Sequence, residues 1–220
     1  MKKKHKEIII SFLPKEIENY IEEHSGSINP VLIKLEKETY KKTILPQMIS
    51  GKMEGKFLQL IALISKAKKI LDIGTFTGYS ALMMAEVLPK NGELITCEIS
   101  KEYADIAKRY FKKVRFGNKI KLVLAPAIET LRQIPDKTID VIFIDADKVS
   151  YPLYYNESIR ILKNGGLILA DNVLRPFRII NPKDKNNKAI QIFNKKVKED
   201  KRVDSVMLPI RDGLYLIRKK

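Results

Sequence analysis

From Lys69 onward, short apolar, β-branched runs alternate with helix-length segments. That alternation restricts the chain to an α/β fold on a doubly wound parallel sheet. The strand-like runs are Ile70–Ile73, Glu93–Glu98, Ile120–Leu124, Ile139–Ile144 and Gly166–Ala170. They are short and nearly continuously apolar, as parallel strands covered on both faces must be. Helical segments Tyr79–Val87, Lys101–Val114, Ala127–Ile134 and Tyr151–Leu162 separate them, and a last helix runs near Lys188–Glu199. The polar, irregular stretch Asn181–Asn187 is expected to be a mobile loop. At the end, Val203–Leu208, the turn Arg211-Asp212-Gly213 and Leu214–Arg218 read as two strands joined tightly. No internal repeat is present. A chain of 220 residues is long enough for one such domain with a full core and too short for two.

Three helices precede the alternation. Pro14 suits the first turn of one, with Ile17, Tyr20, Ile21 and His24 at helical spacing. A second carries Val31, Leu32, Leu35 and Thr39, and Pro46 ends that region. A third runs from about Met53 to Ser65 with Phe57, Leu58, Ile61 and Ile64 on one face. Residues 1–47 are thus expected to be a helical extension of the domain formed by 48–220. The apolar run Ile8–Leu13 is too short for a signal-peptide core and no stretch is long enough for a membrane span. Cys97 is the single cysteine, in a predicted buried strand, so the expected home is a reduced cytoplasm.

The first strand runs into Asp72-Ile73-Gly74-Thr75-Phe76-Thr77-Gly78. Ligands of open α/β sheets bind where such strands end, and glycines there allow close backbone approach. A dinucleotide fingerprint needs Gly-x-Gly-x-x-Gly, but Phe76 stands at its second glycine, so a pyrophosphate does not fit. S-adenosylmethionine (SAM), which has no phosphate, tolerates such a loop. Glu98 ends the second strand, where a carboxylate can accept both ribose hydroxyl protons. The competing reading is an ordinary strand–helix turn with a surface glutamate.

The fourth strand ends in Asp145-Ala146-Asp147-Lys148 and the fifth in Asp171-Asn172. If those strands are neighbours, Asp145, Asp171 and Asn172 converge as a hard oxygen site suited to Mg²⁺, Mn²⁺ or Ca²⁺ rather than zinc. Helix capping or pairing with a lysine is the alternative role for Asp147 or Asp171. Lys148 is a candidate general base, or else a solvated lysine or a partner for Asp147. His5 and His24 are not spaced as ligands. Tyr151, Tyr154 and Tyr155 are expected to pack a helix on the sheet. Ser80 has no His-Asp partner in evidence, which argues against a hydrolase triad.

The net charge is +16, and 33 of the 42 basic residues are lysine. Phosphate recognition favours arginine, so a lysine-rich solvated surface competes with an acidic partner such as tRNA.

Together these residues resemble the cation-dependent O-methyltransferases, which include caffeoyl-CoA and catechol O-methyltransferases. The resemblance runs from about Met48 to Arg218, and more loosely into the N-terminal helices. Its most specific pieces are Asp72-Ile-Gly-Thr-Phe-Thr-Gly-Tyr-Ser80, Ile144-Asp-Ala-Asp-Lys148, Gly165-Gly-Leu-Ile-Leu-Ala-Asp-Asn-Val173 and Leu208-Pro-Ile-Arg-Asp-Gly213. It implies a Rossmann-like, seven-stranded mixed sheet with the last strand antiparallel, in a SAM-dependent methyltransferase domain with extra N-terminal helices. It implies a metal on Asp145, Asp171 and Asn172. A SAM pocket would be lined by Asp72, Gly74, Thr75, Ser80 and Asp147, with Glu98 on the ribose and Ala127 by the adenine. Ser50, in Met48-Ile-Ser-Gly-Lys-Met-Glu-Gly55, stands where the family often has a SAM-contacting threonine. Helices before Met48 would cover the acceptor and build a homodimer.

One departure bears on the acceptor. Plant relatives continue after this strand with Trp-Asn-Gly, whereas Arg175-Pro176-Phe177 stands here. That argues against a plant-type phenylpropanoid-CoA and toward a smaller or anionic molecule, with Arg175 and Arg178 nearby. The expected reaction is O-methylation of a small acceptor with two adjacent oxygens, with Lys148 taking the proton. The alternatives are methylation of a wobble 5-hydroxyuridine in tRNA, and SAM binding without catalysis.

Overall fold

Seven strands form one sheet: β1 (Lys69–Ile73), β2 (Glu93–Glu98), β3 (Ile120–Leu124), β4 (Ile139–Ile144), β5 (Leu162–Ala170), β6 (Val203–Leu208) and β7 (Leu214–Lys219). Their order is β3-β2-β1-β4-β5-β7-β6. The pairs among β1 to β5 are parallel, and β7 runs antiparallel to both β5 and β6. The expected doubly wound mixed sheet with a reversed last strand is therefore present. This computed structural model describes residues 12–175 and 178–220. His5, Pro176, Phe177 and most of the Ile8–Leu13 run lie outside the described residues.

Alternate strand residues feed two cores. Ile70, Val141, Phe143 and Leu169 enter the core beneath α4 (Tyr79–Glu86) and α5 (Lys101–Phe111). Leu71, Ile142, Ile168 and Ile217 enter the core beneath α6 (Ala127–Gln133), α7 (Tyr151–Ile161) and α8 (Lys185–Glu199). The period of two along each strand makes both faces apolar and requires a helical layer on each. Tyr151 and Tyr155 are fully buried in the second core, as the reading of α7 as a packing helix requires.

Of the N-terminal helices, α2 (Pro30–Lys42) and α3 (Gly51–Ile64) join the first core, while α1 (Lys15–His24) lies against α3 and buries no residue. Asn29 caps α2 by accepting from Val31 N–H at 3.1 Å, Pro30 opens the helix, and Val31, Leu32, Leu35 and Thr39 form its buried face. Fully burying Leu32, Leu35 and Leu58 stabilises this layer by roughly 2 kcal/mol each. Their packing leaves α4 buried along Tyr79–Ala85. Among the described residues no helix is long and apolar enough to cross a membrane.

Several boundaries differ from expectation. The segment Asn181–Asn187 is not all loop: α8 begins at Lys185, because Asp184 caps it by accepting from Asn187 N–H at 2.9 Å. Polar residues that read as loop here are capping chemistry. Strand β5 begins at Leu162, not Gly166, after α7 stops at Ile161. Its register with β4 shifts between Ile139 and Val141, so Leu162 still pairs with Ile139 across an irregularity. Helix α3 begins two residues early, at Gly51, and Pro46 opens a 3₁₀ turn over Pro46–Met48 after α2 has ended at Lys42.

Candidate active site

The winding of the sheet reverses between β1 and β4, so the crevice lies beyond the carboxyl ends of those two strands. Asp145 N–H bonds back to Ile73 O at 2.8 Å, which lays the end of β4 against the glycine loop. Gly74 sits at φ +107°, and a Cβ there would stand 2.0 Å from Asp145 O. Only glycine fits, both for the dihedral and for the approach.

Asp72 is fully buried at the end of β1. Its Oδ2 accepts from Thr96 Oγ1 at 2.9 Å and Ser80 Oγ at 3.1 Å, while Oδ1 has no hydrogen-bond partner. Burial pushes this carboxyl up to about 7, against the pull of the two hydroxyls. Thr75 extends the network through a 2.6 Å hydroxyl contact with Thr96. Glu98 accepts from Phe76 N–H at 2.7 Å on one oxygen, and from Ile99 and Ser100 N–H at 3.0 and 2.9 Å on the other. It is therefore no loose surface glutamate but the tie between β2 and the glycine loop. Oε1 is filled by its two bonds, and Oε2 keeps lone-pair capacity beyond its one. Ala127 opens α6 and is buried.

At the other wall, Lys148 Nζ donates to Asp145 Oδ1 at 2.8 Å and to Tyr151 OH at 2.8 Å. Its partner is Asp145, not Asp147, because the 3₁₀ turn Lys148–Ser150 turns the side chain back over the strand end. Asp147 instead caps that turn, accepting from Ser150 N–H at 3.1 Å on one oxygen and from the Tyr154 hydroxyl on the other. Tyr151 OH faces Ile144 O and Asp171 O, both at 3.1 Å. Burial, then the charges of Asp145 and Asp171, raise this phenol well above its ordinary value.

Asp171 is buried, and its Oδ1 accepts from Asn172 N–H at 2.6 Å. Burial first and the Asp145 charge second push its carboxyl up to about 7, opposed by Arg211 and Lys148. Asn172 takes a left-handed φ of 60° and donates its amide N–H to Asp212 Oδ2 at 3.2 Å. The amide nitrogen is thus committed to Asp212, which leaves the oxygen as the donor atom. Two mutually repelling carboxylates and an amide oxygen fit a hard divalent cation. No three Asp, Glu, His or Cys side chains gather into a metal-binding group among the described residues. The expected set has only two carboxylates and completes itself with an amide.

Four residues here went unassigned from the sequence. Arg211 and Asp212 read only as a tight turn, Tyr151 only as packing, and Glu54 not at all. Glu54 is fully buried on α3, where Arg211 Nη1 reaches its Oε2 at 3.0 Å. Burial holds its carboxyl well above the usual range. Its place one turn before Leu58, on the apolar face of α3, was the available signal. Ser50, just ahead of α3, is buried, and its hydroxyl does not cap the helix.

A seven-stranded sheet in this order, with a crevice at the switch point and a reversed last strand, is the fold of Rossmann-like methyltransferases. The O-methyltransferase family model matches residues 22–220, and the chain belongs to that family. It is 36% identical over 211 residues to probable caffeoyl-CoA O-methyltransferase 1 of Dictyostelium discoideum, covering 91% of this chain and 90% of that one. Catechol O-methyltransferase of Niastella koreensis is 38% identical over 140 residues, 62% of this chain and 63% of that one. The O-methyltransferase of Bacillus cereus in complex with SAH superposes with a TM-score of 0.85 at 28% identity, covering 93% of this chain and 97% of that one. The activity these findings support is SAM-dependent O-methylation.

Proposed function

We propose that the acceptor is a small, catechol-like molecule with two adjacent oxygens and that the transfer depends on a divalent cation. The observation that carries this reading is the contact of Gly74 with Asp145 O, which puts a donor loop and an acidic strand end on facing walls of one crevice. Asp72, Gly74, Thr75, Ser80 and Asp147 would line the donor, with Ser50 adding a hydroxyl. Glu98 would receive the ribose at the free acceptor site of Oε2, and Ala127 would flank the adenine. Asp145, Asp171 and Asn172 would hold Mg²⁺, with Mn²⁺ or Ca²⁺ suited to the same donors. A cation there would supply Lewis acidity that lowers the pKa of a chelating hydroxyl.

In its neutral amine form Lys148 would accept the acceptor's hydroxyl proton, with Asp145 Oδ1 and Tyr151 OH beside it to hold its position. The new O–CH₃ bond forms as the S–CH₃ bond breaks, so the walls contribute mainly alignment. Helices α1 and α2 would cover the acceptor side. The exposed apolar residues Ile33, Tyr40, Leu60, Leu63 and Ile64 on α2 and α3 support a homodimer face there. Free, buried Cys97 fits a reduced cytoplasm.

A wobble hydroxyuridine of tRNA is the second reading, favoured by a basic surface. Exposed Lys34, Lys37, Lys41 and Lys42 of α2 lie on the helix that bonds to α5, which carries Lys108 and is followed by Lys112 and Lys113, the two helices being joined by Arg109–Glu38 and Tyr110–Lys34 bonds.

Labelled SAM with Mg²⁺ or EDTA, offered catechol or tRNA lacking wobble methylation, tests both. Catechol methylation that disappears with EDTA and in Asp171→Ala is the expected result. Transfer to tRNA alone, falling steeply with salt, would move the assignment to the second reading. SAM binding with no transfer to either would reopen the identity of the acceptor, and SAM binding with no metal binding would favour a non-catalytic SAM-binding protein.

A further inference from the structure

The turn between β6 and β7 carries a half-buried guanidinium beside the acidic strand ends, that of Arg211. Arg211 holds a left-handed φ of 48°, a conformation that favours glycine and strains a long side chain. Its guanidinium nonetheless donates to Ile49 O at 2.8 Å, to Ser50 O, to Glu54 Oε2 at 3.0 Å and to Gln47 O at 3.3 Å. Glu54, which it pairs with, is 157 residues away in sequence and fully buried. The same turn grips the end of β5: Val173 N–H bonds to Gly213 O, and Leu174 and Arg175 N–H to Asp212 O, each at 3.0 Å. Arg211 is thus the arm by which the strand end bearing Asp171 and Asn172 holds the Gln47–Glu54 segment. A planar fork with five N–H donors can meet three carbonyls and a carboxylate at once, whereas an ammonium cannot in that geometry.

We propose that Arg211 is a positioning residue that pins the Gln47–Glu54 segment against the crevice and thereby sets one wall of the donor site. The pinning follows from the contacts above, and the effect on the donor rests on the reading of Ser50 as a donor contact. The backbone strain has a functional counterpart here: glycine would suit the turn better but could not reach the segment.

The test compares wild type with Arg211→Gly, which relaxes the turn and removes the arm, and with Arg211→Lys, which keeps the charge and loses the fork. Amide hydrogen exchange is followed across the chain, and SAH binding is measured by titration calorimetry without acceptor. The expected result is faster exchange confined to 47–54 and SAH binding weakened by roughly ten-fold in Arg211→Gly, the scale of one lost positioned hydrogen bond. Arg211→Lys should fall between the two. Unchanged exchange in 47–54 would overturn the pinning, and faster exchange with unchanged SAH affinity would overturn the positioning role. If Arg211→Gly fails to fold, Arg211→Lys decides by the same two criteria. A wild-type protein that does not bind SAH would overturn the donor-site reading itself, a failure visible without any variant.

Discussion

Gly74 and Asp145 meet backbone to backbone: a Cβ on Gly74 would lie 2.0 Å from the carbonyl oxygen of Asp145. Strands β1 and β4 therefore end in one crevice rather than on separate edges. Gly74→Ala must push the β4 end away and hold alanine at φ +107°. A loss of about 2–4 kcal/mol in urea unfolding, together with loss of SAH binding, is expected. Wild-type stability and affinity in this variant would show that the loop tolerates a side chain.

Asp72 gives the ligand-free protein a pH-dependent stability. Its folded carboxyl is raised to about 7 from 3.8, chiefly by burial. Below pH 4 both states are protonated and the contribution is fully present. As pH rises toward 7 the unfolded chain ionises first, so stability is lost across that window and levels off above it. The loss reaches roughly 4 kcal/mol at most, at 1.36 kcal/mol per pKa unit. Asp72→Asn should flatten the wild-type slope between pH 4 and 7 in urea titrations. Parallel slopes in the two proteins would contradict the assignment.

Lys148 has two anchors, Asp145 Oδ1 and Tyr151 OH. Lys148→Met should lower kcat by about 10²–10⁴ while leaving SAH affinity unchanged. Tyr151→Phe removes one anchor and the donor facing two backbone carbonyls. Stability should fall by about 1–2 kcal/mol and kcat less than in Lys148→Met. Equal activity in Lys148→Met and wild type would remove Lys148 from the chemistry.

Asp212 orients the amide of Asn172 from outside the donor set. Asp212→Ala frees that amide to rotate. The Mg²⁺ concentration needed for half-maximal activity should rise about 10–100-fold, with SAH binding intact. An unchanged metal requirement would mean that Asn172 is oriented by something else, or is no ligand.

Much of this was legible in one dimension because the periods are local. Buried parallel strands betray themselves by continuous apolar runs, and Asp72, Asp145 and Asp171 each stand at the end of such a run. Boundaries were less legible where one residue does two jobs: Asp184 reads as loop and is a cap, and Leu162 ends a helical pattern and opens a strand. Glu98 was legible as an acid at a strand end, but its three backbone N–H bonds depend on the curl of a loop from another strand.

The sequence by itself determined the class of fold, the strand ends that face the crevice and the chemistry of the groups placed there, since each depends on short-range pattern and side-chain type. Only the tertiary structure decided which groups meet. The Arg211–Glu54 pair, the Asp212–Asn172 bond and the choice of Asp145 over Asp147 as the partner of Lys148 are contacts made by folding, and two of the three join residues far apart in the chain. Their strength comes from exclusion of water, which no residue carries in its own identity.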